Sequence, residues 1–241
     1  MRSLAKQLLP PFAKSLVRRG LQFMEWDPWQ QKSWSQDGED QILRRLFESD
    51  LTGFYVDVGA HHPMRFSNTY LFYRRGWRGI NIDAMPGSMA AFAKHRPRDI
   101  NLEVGVGAIE GNEPYHMFHE PAFNGFSKEL SEVRGVSANP QTVLAVKALK
   151  VFPMSTLLDV HLPSGQPITF MSIDVEGRDF EVLQSNDWDR YRPRVVLIEM
   201  LGSNLGEIGD SQIGSFMLGK GYVAFAKCFN SVFFRETLQS R

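Results

Sequence analysis

An α/β fold on a mostly parallel sheet is what the sequence predicts, from three observations. The first is the stretch Phe54-Tyr-Val-Asp-Val-Gly-Ala-His-His-Pro63, followed by Ser67-Asn-Thr69. It reads as a strand buried on both faces, a tight turn at Gly59-Ala60, and a helix start. The second is that strand-like and helix-like stretches alternate downstream, which implies parallel neighbours joined by right-handed crossovers. The third is the ending: two strand-like runs, residues 222–229 and 231–235, meet at Asn230 as an antiparallel hairpin. Such a hairpin separates this layout from a dehydrogenase Rossmann sheet.

Taken in order, residues 1–34 form a helical extension. Residues 1–23 set Lys6, Lys14, Arg18 and Arg19 among leucines, with Pro10-Pro11 as a break. They offer either a strut that packs on a domain or subunit partner, or a peripheral membrane contact. The α/β domain proper spans residues 35–241. Asp37 is expected to cap a first helix whose buried stripe is Ile42, Leu43, Leu46 and Phe47. After the opening strand, residues 68–75 read as a helix closed by Gly76. Residues 78–84 are the second strand, ending in Asp83. Pro86 opens the next helix, with Met89, Phe92 and Ala93 inward. Residues 99–107 read as one third strand.

Residues 108–166 break the alternation and read as an insertion over one face of the sheet, where substrate contacts often lie. Within it, residues 115–118 suit an edge strand, Asn124-Gly125 a turn, and residues 150–161 a strand plus a short helix. Regularity returns with a strand over 168–174, a helix over 179–186, a strand over 194–200 and a helix over 213–220 closed by Gly221.

The bulk numbers bound the function. The chain has 241 residues, 43% of them apolar, enough for a sizeable core. Its 27 basic and 27 acidic residues cancel, so no global charge points to nucleic acid. The single cysteine, Cys228, excludes an internal disulfide and fits a reducing, cytoplasmic setting. It sits in an apolar strand-like run, where a buried inert thiol is expected. No run of about 18 apolar residues is present, and no signal peptide is read at the N-terminus.

Ligands of open α/β sheets bind outside the carboxyl ends of the strands. Those ends carry Asp57 with Gly59, Ala60, His61 and His62; Asp83 with Ala84; Val104 with Gly105; Asp174 with Glu176; and Glu199. Asp83 follows Gly59 by roughly 20 residues, the spacing of an acid that accepts ribose hydroxyls. The alternative for Asp83 is a strand-end acid capping the next helix. The first turn lacks the glycines that let backbone approach a pyrophosphate, and His61 and His62 crowd it. A cofactor without phosphates suits it, and S-adenosylmethionine is the common one. Asp57 could meet that cofactor's cationic end. Asp174 and Glu176 are the leading catalytic candidates, as general base or metal ligand, and Glu199 could complete an oxygen-rich site for a divalent metal such as Mg²⁺. His61 and His62 are candidate bases or structural histidines. No zinc spacing, nucleophile elbow or phosphate-binding loop is present.

At this point the chain resembles the FkbM-type S-adenosylmethionine-dependent methyltransferases. The resemblance lies in Ser35-Gln-Asp-Gly-Glu-Asp40, the opening strand and turn, Ser67-Asn-Thr-Tyr70, Gly76-Trp-Arg-Gly-Ile-Asn-Ile-Asp-Ala84 and Ser172-Ile-Asp-Val-Glu-Gly177. It implies a class I methyltransferase Rossmann-like fold with a seven-stranded sheet, and methyl transfer to oxygen on a sugar, glycan or related natural product. It also implies that Asp57, Gly59, Ala60, Asn68, Asp83, Ala84, Val104, Gly105 and Asp174 surround the cofactor. Asn124 matches the family's Pro-Ala-x-Asn segment. The expected partner is a saccharide or small-molecule acceptor, with a homo-oligomer as an open option. Two other readings stay open: a non-catalytic nucleoside-binding or scaffold protein of the same fold, and a nicotinamide-dependent oxidoreductase, which the missing glycines disfavour.

Overall fold

The computed structural model describes residues 29–121, 124–126 and 143–237. The amphipathic segment at 1–23 and Phe123 lie outside them. The chain divides into two units, Met1–Lys32 and Ser33–Arg241. The second holds every element named below.

The main sheet has seven strands: β1 (Phe54–Val58), β2 (Arg78–Asp83), β3 (Ile100–Glu103), β7 (Phe170–Ile173), β8 (Val195–Glu199), β9 (Tyr222–Cys228) and β10 (Ser231–Glu236), in the order β3-β2-β1-β7-β8-β10-β9. The first five are mutually parallel, and β10 runs antiparallel to both β8 and β9. The seven strands are those the resemblance implied, with the hairpin where the sequence placed it. The strand order reverses beside β1, which opens the crevice above the ends of β1 and β7.

Period-two alternation assigns each strand residue to a face. Val56 and Val58 join Ile80, Ile82, Met171, Ile173, Val196 and Ile198 on one face. That face is covered by α4 (Met154–His161), α5 (Asp179–Ser185) and α6 (Gln212–Gly219), through Leu157, Val182, Leu183 and Met217. Tyr55, Phe170, Leu197 and Phe233 take the opposite face, under α1 (Glu39–Leu46) and α2 (Tyr70–Arg74). Aromatic rings dominate there: Phe72 lies 4.9 Å from Phe170 and 4.8 Å from Trp77, centroid to centroid. Each such fully buried ring contributes roughly 1.5–3 kcal/mol. A third helix, α3 (Ser88–His95), rests Met89 and Phe92 against Ala60.

The largest departure from expectation is at residues 99–107. The run is not one strand. After β3, the Val104 amide donates to the Asp83 carbonyl (3.1 Å), and the chain then leaves the main sheet. Gly105–Val106 is β4, which pairs with β6 (Ala145–Phe152) and through it with β5 (Gly111–Met117) in a separate three-stranded sheet. A Cβ on Gly105 would meet the Phe126 ring at 2.6 Å, so glycine admits the switch of sheet. The insertion is thus a small sheet, longer at both strands than the residues 115–118 and 150–161 suggested.

Local corrections have local causes. Asp37 does not cap α1; Gly38 holds the N-cap position at φ +97°, and the Ser35 hydroxyl accepts the Asp40 amide. Leu46 and Ala93 are exposed. Pro86 precedes α3, which starts after Gly87 at φ +86°. The helix expected over 68–75 shortens to five residues because the Ser67 hydroxyl accepts the Tyr70 amide at its start. Cys228 is half-buried, its thiol donating to the Asp37 carbonyl (3.0 Å), and burial pushes it up from its ordinary value, as an inert thiol requires. No described helix is long and apolar enough to cross a membrane.

Candidate functional site

A cleft of about 270 Å³ lies across the carboxyl ends of β1, β2, β7 and β8. Its floor is knit by backbone. The Gly59 and Ala60 amides both donate to the Ile82 carbonyl (2.9 and 3.0 Å), and the Asp174 amide donates to Val58 (3.0 Å). Gly59 has φ +80°, and a Cβ there would sit 1.7 Å from the Asp174 carbonyl oxygen. Glycine is therefore dictated by the neighbouring strand end, whatever occupies the cleft.

The cleft gathers Gly59, His61, Asn68, Asp83, Ala84, Val104, Gly105, Asp174, Glu176 and Glu199. Asp83 accepts the His61 amide on one oxygen (2.7 Å) and the Met85 amide on the other (2.8 Å). Asp83 thus braces the two turns from within the lining of the cleft. Burial holds its carboxyl above the usual range, against those two amides. His61 adopts φ +52° and stacks on Phe66 at 6.2 Å. Among the described residues its Nε2 is buried without a hydrogen-bond partner, and burial with nearby Arg65 lowers its pKa, so the ring is neutral near pH 7.

Asp174 and Glu199 end adjacent parallel strands. Asp174 opens onto the cleft, while protein surrounds its carboxyl on the other sides. Burial first, and then the charge of Glu199, push that carboxyl well above its ordinary value, and a hydrogen bond joins the two side chains. A carboxylate at Glu199 so placed disfavours a second negative charge on Asp174. Glu176 adopts φ +56° beside them. Asp179 accepts the Val175 and Gly177 amides (3.1 and 3.2 Å), fixing this loop; burial raises it to about 6. Among the described residues no three His, Cys, Asp or Glu side chains converge on a metal position. Asp174 and Glu199, named from the sequence as candidate metal ligands, stand here as neighbouring carboxyls on adjacent strand ends.

Three expected cofactor or catalytic residues do not line the cleft. Asp57 shares the Tyr55 face of β1, is 5% exposed, and accepts the Thr69 hydroxyl (2.6 Å) beneath α2. Ala60 is buried against Met89 and Phe92. The His62 Nδ1 accepts the Met64 and Arg65 amides (3.1 and 3.0 Å), which occupies the atom a base would use. Conversely, the cleft includes residues to which the sequence reading gave no site role: Gln36, Asp37, Glu39, Arg178, Asn230 and Ser231; Tyr115 and Phe126, aromatics of the insertion that suit either sugar stacking or lid packing, line it as well. Tyr115 is buried and feels the charge of Asp83, and Phe126 packs edge-on to it at 4.9 Å. Asn124, named by its resemblance, accepts the Phe118 amide (2.7 Å) and stands in the same wall. Arg178 is paired to both Glu113 and Glu181.

Comparison with known proteins gives one family. The model described as the methyltransferase FkbM domain matches residues 57–224, most of the chain and all of the cleft's strand ends. Among solved structures, an O-methyltransferase from Bacillus cereus in complex with SAH aligns with 94% of this chain and 91% of its own, at 11% identity and a TM-score of 0.42. No curated protein matches. The family match sets aside the nicotinamide-dependent reading. With the sheet order, the hairpin and a cleft over the ends of β1, β2 and β7 in place, the match over residues 57–224 shows that the chain belongs to the FkbM-domain methyltransferases.

Proposed function

We propose that the protein transfers a methyl group from S-adenosylmethionine to a hydroxyl of a sugar, a glycan or a related natural product. The observation that carries this reading is the Asp174–Glu199 carboxyl pair, facing into the same cleft as Gly59 and Asp83. The residues present fit the cofactor. Asp83 offers a buried carboxylate to a ribose diol, beside a turn without room for phosphates. Ala84, Val104 and Gly105 offer apolar and backbone surface to a base, with Tyr115 and Phe126 closing over that end. When bound, the cofactor supplies an electrophilic methyl on a sulfonium.

The protein's own work is positioning and proton removal. An aligned acceptor oxygen converts a bimolecular displacement into a local one. Asp174, ionised, would take the acceptor's hydroxyl proton while the methyl passes from sulfonium to oxygen and the neutral thioether leaves, with Glu199 beside it. General-base assistance of this kind contributes about 10²- to 10⁴-fold. The cleft's other end, at Gln36, Asp37, Glu39, Asn230 and Ser231, is the acceptor end. Its hydroxyl and amide groups suit a neutral polyol.

The test is labelled-methyl transfer to a panel of glycosides, with and without chelator, for the wild type and Asp174→Asn. Transfer is expected to be chelator-insensitive and to fall about 100-fold or more in Asp174→Asn. Full turnover by Asp174→Asn would overturn the base assignment.

A further inference from the structure

Asp57, read from sequence as a cofactor contact, belongs instead to a buried polar network on the far side of the turn. Its centre is Arg96, fully buried at the end of α3. The Arg96 guanidinium donates through Nε to Asp99 (2.8 Å), through Nη2 to the Thr69 hydroxyl (3.0 Å) and through Nη1 to the Ser67 hydroxyl (3.4 Å). Thr69 in turn donates to Asp57 (2.6 Å). Asp99 is tied down independently, accepting the Tyr55 hydroxyl (2.7 Å), the Gly79 amide (3.0 Å) and the Asn81 side chain (3.0 Å). The rings of Tyr55, Tyr73 and Phe92 lie 5.2–5.6 Å from the guanidinium carbon.

What this network grips is a segment that alternates. Ser67 and Thr69 are buried and face Arg96, whereas Phe66 and Asn68, between and beside them, line the cleft. Asn68 is aimed by one bond of its own, to the Ser172 hydroxyl (3.0 Å). The helix that follows has only five residues and begins at this point, so it cannot fix the segment by itself. The residues that face the ligand are therefore held from behind, through their neighbours.

We propose that Arg96 is a positioning residue for the cofactor cleft: with Asp57, it holds Ser67 and Thr69 so that Phe66 and Asn68 are presented to the bound nucleoside. This rests on reading the cleft as the S-adenosylmethionine site. The fork geometry matters, since one guanidinium reaches Asp99, Ser67 and Thr69 at once and a lysine ammonium does not span that set.

The test acts on Thr69, because removing a buried arginine can prevent folding altogether. S-adenosylhomocysteine is titrated calorimetrically into the wild type, Thr69→Val and Thr69→Ser, with thermal unfolding measured on each. Thr69→Val keeps the side-chain shape and loses the hydroxyl's bonds to Arg96, Asp57 and Ser67; it is expected to weaken binding about tenfold while unfolding stays cooperative. Thr69→Ser keeps the hydroxyl and is expected to bind within about twofold of the wild type. Equal affinity in Thr69→Val and wild type, with only the unfolding temperature lowered, would overturn the positioning role and leave the cleft's function standing. Weakening of equal size in Thr69→Ser would also overturn it, because the hydroxyl would then not be the group that matters. No binding by the wild type would overturn the reading of the cleft itself, and this inference with it.

Discussion

The two ends of the cleft are held by different means. At the end formed by Gly59, Asn68 and Asp83, the wall is three adjacent strand ends knit by backbone, with Arg96 and Asp99 behind it at 0% side-chain exposure. At the end formed by Gln36, Asp37 and Glu39, side chains do much of the holding: buried Asp40 accepts the Ser33 hydroxyl (2.7 Å) and the Trp34 amide (2.8 Å), Glu39 accepts the Ser231 hydroxyl (3.1 Å), and the Cys228 thiol reaches the Asp37 carbonyl (3.0 Å). One end is thus held through strand backbone and a buried ion pair, the other through side-chain bonds around the start of α1 and across to the hairpin. A common donor with varied acceptors would call for that difference. In the insertion, Tyr115 lies near Asp83 and Glu176, and Phe126 lies against Gly105.

Substitutions can break or sharpen this contrast. The largest effect is expected from Gly59→Ala. A Cβ 1.7 Å from the Asp174 carbonyl, at φ +80°, cannot be absorbed by side-chain movement. The cost should exceed about 4 kcal/mol, lowering the unfolding temperature by more than about 10 °C. A near-native unfolding temperature would show that the fixed end yields after all.

The next effect is on rate and separates chemistry from binding. The Asp174 carboxyl is pushed above its ordinary value of 3.8 by burial and by Glu199, and only its ionised form accepts a proton. Turnover should therefore fall as pH drops through that raised value, with the acid limb of kcat well above the usual carboxylate range. Asp174→Asn should flatten the limb. A limb at the ordinary carboxylate position would contradict the raised Asp174 carboxyl. The smallest effect is expected at the opposite end, from Ser231→Ala. Losing the bond to Glu39 should cost about 0.5–1.5 kcal/mol, moving the unfolding temperature by only a few degrees. The acceptor KM should change about two- to threefold with SAH affinity unchanged. A large loss of SAH affinity would erase the distinction between the ends.

Legibility in the sequence followed the same division. Strands β1, β2, β7 and β8 announced themselves because burial on both faces demands continuous apolar runs, and their ends delivered Asp83, Asp174, Glu176 and Glu199 to one rim. Asp57 misled because proximity to the turn was weighed before strand alternation; counting from Val56 and Val58 puts it on the Tyr55 face. His62 misled because its turn contacts are local backbone geometry that no pattern encodes. The break at Val104 was hidden, since Gly105 and Val106 continue the apolar run while pairing with a strand some 45 residues on. Gln36, Glu39, Asn230 and Ser231 converge only through the tertiary fold, although the motif around Ser35 marked the first two. Arg96 carried no signal beyond an arginine before Pro97.

The central claim is that the cleft above β1, β2 and β7 holds the methyl donor, with Asp83 as its anchor. Calorimetric titration of SAH into the wild type and Asp83→Ala tests it most directly. One site per chain is predicted in the wild type, weakened at least about tenfold in an Asp83→Ala protein that still unfolds cooperatively. No binding to the wild type, or equal affinity in both proteins, would contradict the claim.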